Sequence, residues 1–278
     1  MDPVVARKTF RTLEPIHGLI YFATEAVDEY AAIGVTGRSG YFASRSAPMG
    51  AVSAELVIAT FFNFDPGLVR HAMAGVWDIA SPAAMLDARF RAAGAALRAT
   101  MGDLANGPEV EEAAGIARTA AEEACRHLSG KPLFAGHATV AWPDDPLLVL
   151  WHAQSLLREF RGDIHIAAMT AEGIDGCEAL VTHAASCEIP AGILQSTRAW
   201  SDAGWAAAVA SLQAKGHLDA DGAFTDAGRA SRQRVEDQTD TGALVAYEAI
   251  GEDACDRLRT LCRPMAKAIV ASGGLGGR

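Results

Sequence analysis

The five cysteines, Cys125, Cys177, Cys187, Cys255 and Cys262, are odd in number and contain no C-x-x-C pair, so no disulfide framework and no paired-cysteine metal site is implied. The opening residues, MDPVVARKTF, have no apolar h-region; with the cysteine pattern this points to a reducing cytoplasm. The longest apolar tract, residues 51–62, is broken by Ser53 and Glu55 and falls short of the roughly 20 residues of a membrane span. It is expected to be core, and no membrane is implied. Positive charge is scarce as well: a net charge of −10 and a pI near 5.3 repel phosphate backbones unless a local patch overrides the global field. No H-E-x-x-H, EF-hand loop or G-x-S-x-G elbow occurs, which removes the usual signatures of zinc hydrolases, calcium loops and serine hydrolases. GVTGRSG, residues 34–40, lacks a following Lys-Ser pair and a preceding strand, so it reads as a turn and not as a phosphate cradle. His183 and Cys187 share i, i+4 spacing, but a lone pair is more often core and cap than metal ligand.

What is present is a 278-residue chain, half of it hydrophobic and 21% charged, enough to bury a large core in one domain or two. The pattern is mainly α-helical. Pro15 suits a first helical turn, and the helical period continues to Gly34 with His17, Tyr21, Thr24 and Asp28 along one side. A glycine-punctuated loop follows to Gly50, carrying Tyr41, Phe42 and Arg45. An arginine amid aromatics points either to a buried anion contact or stacking, or to a loop tied down through its carbonyls. Residues 53–62 read as a deeply buried helix; Asp65-Pro66 caps one running to about Ile79, and Ser81-Pro82 one through Arg98. That helix and another over 109–128 carry more charge on one face and are expected on the outside. Residues 131–144 read as an irregular connection, the boundary between a helical domain, 1–143, and a second domain, 144–278.

Residues 147–186 gather three of the eight histidines. Asp145-Pro146 starts a helix expected to stop at Gly162, after which Asp163 caps the next. His152, Ser155 and Glu159 form a polar stripe on it, while Leu148, Trp151, Leu156 and Leu157 face a core; His165 follows the break. Polar groups on buried faces need partners. Either they are structural, with His152–Glu159 and Arg158–Asp163 bonds closing helix ends, or they line a mostly apolar cavity between the two halves. On the second reading His17, Tyr21, Tyr41, Arg45, His152, Glu159, Asp163 and His165 meet a small apolar or aromatic ligand. A histidine beside a carboxylate also suits general acid–base chemistry, and haem held by one of His17, His152 or His165 would leave no spacing signature.

The last third changes pattern. Ser201 caps a helix with Trp205, Val209 and Leu212 inward and a stop at Gly216; Asp221-Gly222 marks a hairpin, and Thr225 caps a long helix. LQAKGHLDADGAFTDAGRASRQRVEDQTD resembles the recognition helix, wing and following helix of MarR-type transcriptional regulators; more loosely, the whole chain resembles actinobacterial proteins with the same end. The resemblance implies a winged helix with a small β-hairpin wing, contact with DNA, and a homodimer formed through terminal helices. The charges oppose the DNA contact: residues 194–240 hold two more acids than bases, and the would-be recognition helix offers Trp205, alanines, Ser211 and Gln213 in place of the Arg, Lys and Asn that read base edges. Cys255, Leu258, Cys262, Met265 and Ile269 make a coiled-coil-like stripe, either internal or dimeric, on a helix that Pro264 should kink. The tail GGLGGR is expected to fray. The expectation is a small-molecule-binding protein that does not contact DNA, with a MarR-like ligand-responsive regulator and a His/carboxylate enzyme, haem- or metal-dependent, as the alternatives.

Overall fold

The computed structural model describes residues 1–275. The chain begins with α1 (Val4–Gly18), α2 (Thr24–Ala31) and α3 (Gly37–Ser46), then α4 (Ala54–Phe61) and α5 (Pro66–Met73). Next come the short α6 (Val76–Ile79), α7 (Pro82–Met101), α8 (Pro108–Ala124) and α9 (Pro132–His137). The long α10 (Pro146–Ala171) leads to α11 (Gly176–Ala185), α12 (Ala191–Arg198), α13 (Asp202–Ala214), α14 (Asp226–Glu248) and α15 (Gly251–Ala271). The protein is therefore mainly helical, and no strand occurs among the described residues. No described helix is long and apolar enough to cross a membrane.

Two compact units interleave along the chain, and neither divides at Pro143. The first comprises Met1–Val52, Gly75–Asp163 and Asp240–Arg278, the second Ser53–Ala74 and Ile164–Thr239.

In the first unit α1 packs on α15, α2 on α7, and α8 on α15. Alanine makes these approaches close: Ala88, Ala92, Ala93 and Ala96 of α7 and Ala113, Ala117, Ala120 and Ala124 of α8 are buried. Both helices had been expected outside, but their small residues form a broad buried face that charge counting overlooks. The α15 stripe of Cys255, Leu258, Cys262, Met265 and Ile269 is at most 1% exposed. It is spent within the chain and offers nothing to a second copy.

Four more expectations change here. α1 starts at Val4, so Pro15 lies inside it; a 3-10 turn, Leu19–Tyr21, then breaks the chain before α2. The presumed glycine loop contains α3, which puts Tyr41 and Arg45 one helical turn apart. Within the presumed irregular connection lies α9. α10 runs through Gly162 to Ala171 without a stop: an interior glycine lowers helix stability by only about 1 kcal/mol, and packing of Leu156, Leu157, Phe160 and Ala168 outweighs that. Of the tail expected to fray, Gly274 lies against Leu19, and residues 276–278 lie outside the described residues.

The second unit has its core in Ile174, Cys177 and Val181 with Ala208, Leu212 and Leu218, flanked by Trp200, Trp205 and Phe224. α4 buries one side only, with Leu56 37% exposed, not the whole helix. α5 begins on the expected Asp65 cap but ends at Met73, where Gly75 takes a left-handed conformation. α11 starts with a reciprocal Asp175–Glu178 capping box. The expected two-stranded wing shrinks to one antiparallel bridge, Leu218 to Phe224. Its arms are short, and the Asp219 carboxylate folds back to accept from the Asp221 and Ala223 N–H groups, both at 2.9 Å. Gly176 is where α11 meets the Phe62 carbonyl; a Cβ there would overlap that oxygen. Gly176→Ala is thus expected to destabilise the second unit by about 1–3 kcal/mol, read as a lower urea midpoint, whereas Gly192→Ala, in open space, should not.

Candidate functional site

The first unit buries a polar network built on α1, α3 and α10. His17 Nδ1 lies 2.8 Å from Ser155 Oγ, which itself donates to the Trp151 carbonyl. The ring therefore carries its proton on Nδ1, and Nε2 accepts from the Tyr21 hydroxyl at 2.5 Å. Burial, with Arg158 and Arg89 nearby, holds the His17 pKa well below the usual histidine value. Both nitrogens are engaged, so neither is open to an axial metal or haem bond.

One turn along α10 from Ser155, the Glu159 carboxylate takes Arg45 Nη2 at 2.8 Å and Arg158 Nη1 at 3.1 Å. Arg158 Nε also reaches Glu14 at 3.1 Å, and Arg45 Nη1 donates to the Tyr41 hydroxyl at 2.8 Å. Burial alone would raise the Glu159 pKa, but Arg45 and Arg158 outweigh it and hold the carboxyl well below the usual range. Tyr21 lies beneath three guanidinium groups, of Arg45, Arg89 and Arg158, at 5.3–5.8 Å, a stacked cation–π arrangement. Asp163 is separate from this pairing: its carboxylate accepts from Phe134 N–H at 2.9 Å and so caps the start of α9. Burial raises its pKa to about 6, the Phe134 N–H opposing.

Beside that network lies a small cavity, about the size of one water molecule, lined by Leu86, Arg89 and Phe90 of α7, His137 of α9, Val140, and Trp151, His152 and Ser155 of α10. Gly136 lets α9 come close, since a Cβ there would press on the Met49 backbone and side chain. The neighbouring His137 and the other polar walls are almost fully buried, with Arg89 2%, His137 3%, Trp151 1% and His152 2% exposed. Arg89 Nη1, His137 Nε2, Trp151 Nε1 and His152 Nε2 have no hydrogen-bond partner among the described residues. Burial lowers the His137 pKa to about 3 and that of His152 to about 4, so both rings are neutral at pH 7. For His152 a backbone contact with Val140 opposes the effect of burial. The cavity wall thus offers a cation, an indole N–H and an imidazole amid Leu86, Phe90 and Val140.

In the second unit α12 and α13 are joined by Ala199, Trp200 and Ser201, with Ala199 in a left-handed conformation, and both pack on α11. Two helices linked by a turn of about three residues are the connection expected in a helix-turn-helix. A helix-turn-helix family matches residues 6–276. The chain belongs to that family. Searches of curated proteins and of solved structures returned no match.

This helix-turn-helix carries little that reads or holds DNA. The exposed positions of α13 are Asp202, Ala203, Ala206, Ala207, Ala210 and Ala214. The bases around it are already paired: Lys215 with Glu178, Arg229 with Asp226, Arg232 with Glu188 and Arg234 with Glu172.

Of the eight residues singled out in the sequence, His17, Tyr21, Tyr41, Arg45 and Glu159 come together in the network, where they satisfy one another. Asp163 holds α9. His152 alone lines the cavity. His165 belongs to the second unit, where its Nδ1 meets Thr239 Oγ1 at 2.9 Å. Neither expected helix-closing bond forms, since Arg158 turns to Glu14 and Glu159 and His152 to Val140. Sequence reading missed Arg89 and His137, and assigned Trp151 to plain core. Arg89 had a signal: it stands four residues after Met85 and three before Ala92, on the buried stripe of α7.

Proposed function

We propose that this helix-turn-helix protein binds a small molecule in the Arg89–His152 cavity of its first unit, and that its helix-turn-helix does not read DNA sequence. The observation that carries this reading is that four residues lining one cavity, Arg89, His137, Trp151 and His152, each hold a buried polar atom without a hydrogen-bond partner among the described residues. Buried polar groups are normally satisfied, and each one left unmade costs about 1–3 kcal/mol. A wall with four is built for an occupant. The enclosed space is about that of one water molecule, far below drug-sized sites, so the ligand is very small or enters as the side chains around it move apart. Its location inside one unit replaces the expected place between two halves. Five free cysteines support a reducing compartment.

A thermal-shift screen with small acids, amides, alcohols and amines tests this. At least one class should raise Tm in the wild type and not in Leu86→Phe, which fills the cavity. No shift from any class, with only water in the cavity of a crystal structure, would contradict the proposal.

A ligand-responsive regulator of MarR type is the second reading, favoured by the α12–turn–α13 geometry. The paired bases and alanine face argue against it. With a random duplex pool at physiological salt we expect only non-specific binding, Kd about 10⁻⁴ M or weaker; enrichment of one sequence at nanomolar protein would reverse the ranking.

A further inference from the structure

Resting on the small-molecule reading, we infer that residues 138–145 are the door of the Arg89–His152 cavity and that Trp142, seated between His152 and Arg118, is its latch. The cavity is about the size of one water molecule, so a larger occupant enters only where a wall can move. Most of that wall is helix. Arg89 stands on α7, and Trp151, His152 and Ser155 on α10, all at most 2% exposed, while His137 ends α9. Among the described lining residues only Val140 lies outside a helix.

Val140 belongs to the link from α9 to α10. Past it the backbone holds nothing: none of the N–H groups of residues 141–145 bonds to a described backbone carbonyl, and Pro143 has no N–H to give. Stretches of this kind open at low free energy, whereas moving a helical wall breaks several backbone bonds at once. Side chains therefore keep the link in place. The Trp142 ring meets the His152 ring edge-on, with centroids 4.9 Å apart, and the Arg118 guanidinium of α8 lies 4.6 Å over the Trp142 ring. Trp142 is half-buried and the Arg118 side chain 43% exposed, so the stack runs from solvent to the cavity wall. Glu122 braces Arg118 at 2.7 Å. At the α10 end Asp145 pairs with Arg98 of α7, which fixes the hinge. An exposed cation–π contact shifts an equilibrium about two- to fivefold, enough to set how often the door opens and too little to seal it.

Diethylpyrocarbonate, which acylates neutral imidazole, measures the opening without any ligand, with peptide mass mapping to read each histidine. At pH 7 it should modify His152 of the wild-type protein slowly while His17, buried in the neighbouring network, stays untouched; that contrast separates local opening from unfolding. Arg118→Ala removes the outer half of the latch and no part of the cavity wall. It should speed His152 modification about two- to fivefold with Tm within about 3 °C of wild type, and Trp142→Ala should speed it further. An unchanged His152 rate in Arg118→Ala, or modification of His17 in step with His152, would overturn the door. Binding is read separately. A compound of the screen that raises Tm and associates equally fast with Arg118→Ala and wild type would remove the door and leave the binding reading standing. Faster His152 modification in Arg118→Ala, with no compound raising Tm, would support the door and remove the binding reading.

Discussion

Glu159→Ala is expected to lower folding stability by about 3–5 kcal/mol, the range for breaking a buried ion pair by deleting one partner. The side chain is 3% exposed and stands between Arg45, 8% exposed, and Arg158. Its removal leaves the Arg45 guanidinium buried beside Tyr41, with no carboxylate from α10. The damage comes from the stranded cation and not from the lost attraction. Consequently Arg45→Met combined with Glu159→Leu, which removes both charges and fills the space, should recover most of the loss. Urea denaturation of the two variants decides the matter: a single variant within 1 kcal/mol or so of wild type would show that the network carries little of the fold.

The second large effect is acid destabilisation led by two histidines. Unfolded, His137 and His152 take up protons below about pH 6.5; folded, they do so only near 3 and 4, because burial penalises the imidazolium. Over that window the unfolded chain binds more protons, so stability falls as pH falls. At up to about 1.4 kcal/mol per pH unit, each histidine removes on the order of 2.5 kcal/mol between pH 7 and 4.5. Asp163 acts in the opposite sense. Its folded pKa of about 6 exceeds the unfolded carboxyl value, so protonation below pH 6 returns about 2 kcal/mol by pH 4.5. These three groups together give a loss of about 3 kcal/mol from pH 7 to 4.5, and His17, held low by burial, adds to the loss in the same direction. The double variant His137→Asn, His152→Gln should flatten this arm, and Asp163→Asn should steepen it. A wild-type stability that is level or rising toward pH 4.5 would contradict the burial of neutral rings.

Helix starts were legible because caps are local chemistry. Asp65, Ser81, Asp145, Asp175 and Ser201 each accept from a backbone N–H in the first turn that follows, and each could be read from the residues beside it. Stops were less so. Gly162 looked like an end, yet α10 continues through it, because burial along the whole helix decides the matter and glycine is only a modest penalty. The bounds of α13 and the start of α14 were legible from the Ser201 cap, the Gly216 stop and the Thr225 cap. The wing was over-read, since Asp221-Gly222 signals a turn without fixing how far its arms pair.

The site was half legible for a similar reason. Sequence spacing exposes polar stripes on a single helix, so His152, Ser155 and Glu159 stood out together. It cannot separate the group whose partner arrives from another helix from the group that has none. Glu159 is answered by α3, whereas His152 Nε2 is answered by nothing among the described residues. Arg89 and His137 come from α7 and α9, about 50 residues apart in sequence, and only the packing of α7, α9 and α10 makes them neighbours.

The central claim is that the occupant meets the Arg89–His152 cavity and leaves the His17–Glu159 network untouched. The most direct measurement is the ¹⁵N spectrum of the histidine side chains, recorded with and without the compound of the screen that raises Tm most. His152 Nε2 should move as the occupant reaches it, while the His17 nitrogens, already bonded to Ser155 and Tyr21, should stay in place. Movement of His17 with His152 unchanged, or no movement of either under any compound that raises Tm, would contradict the account.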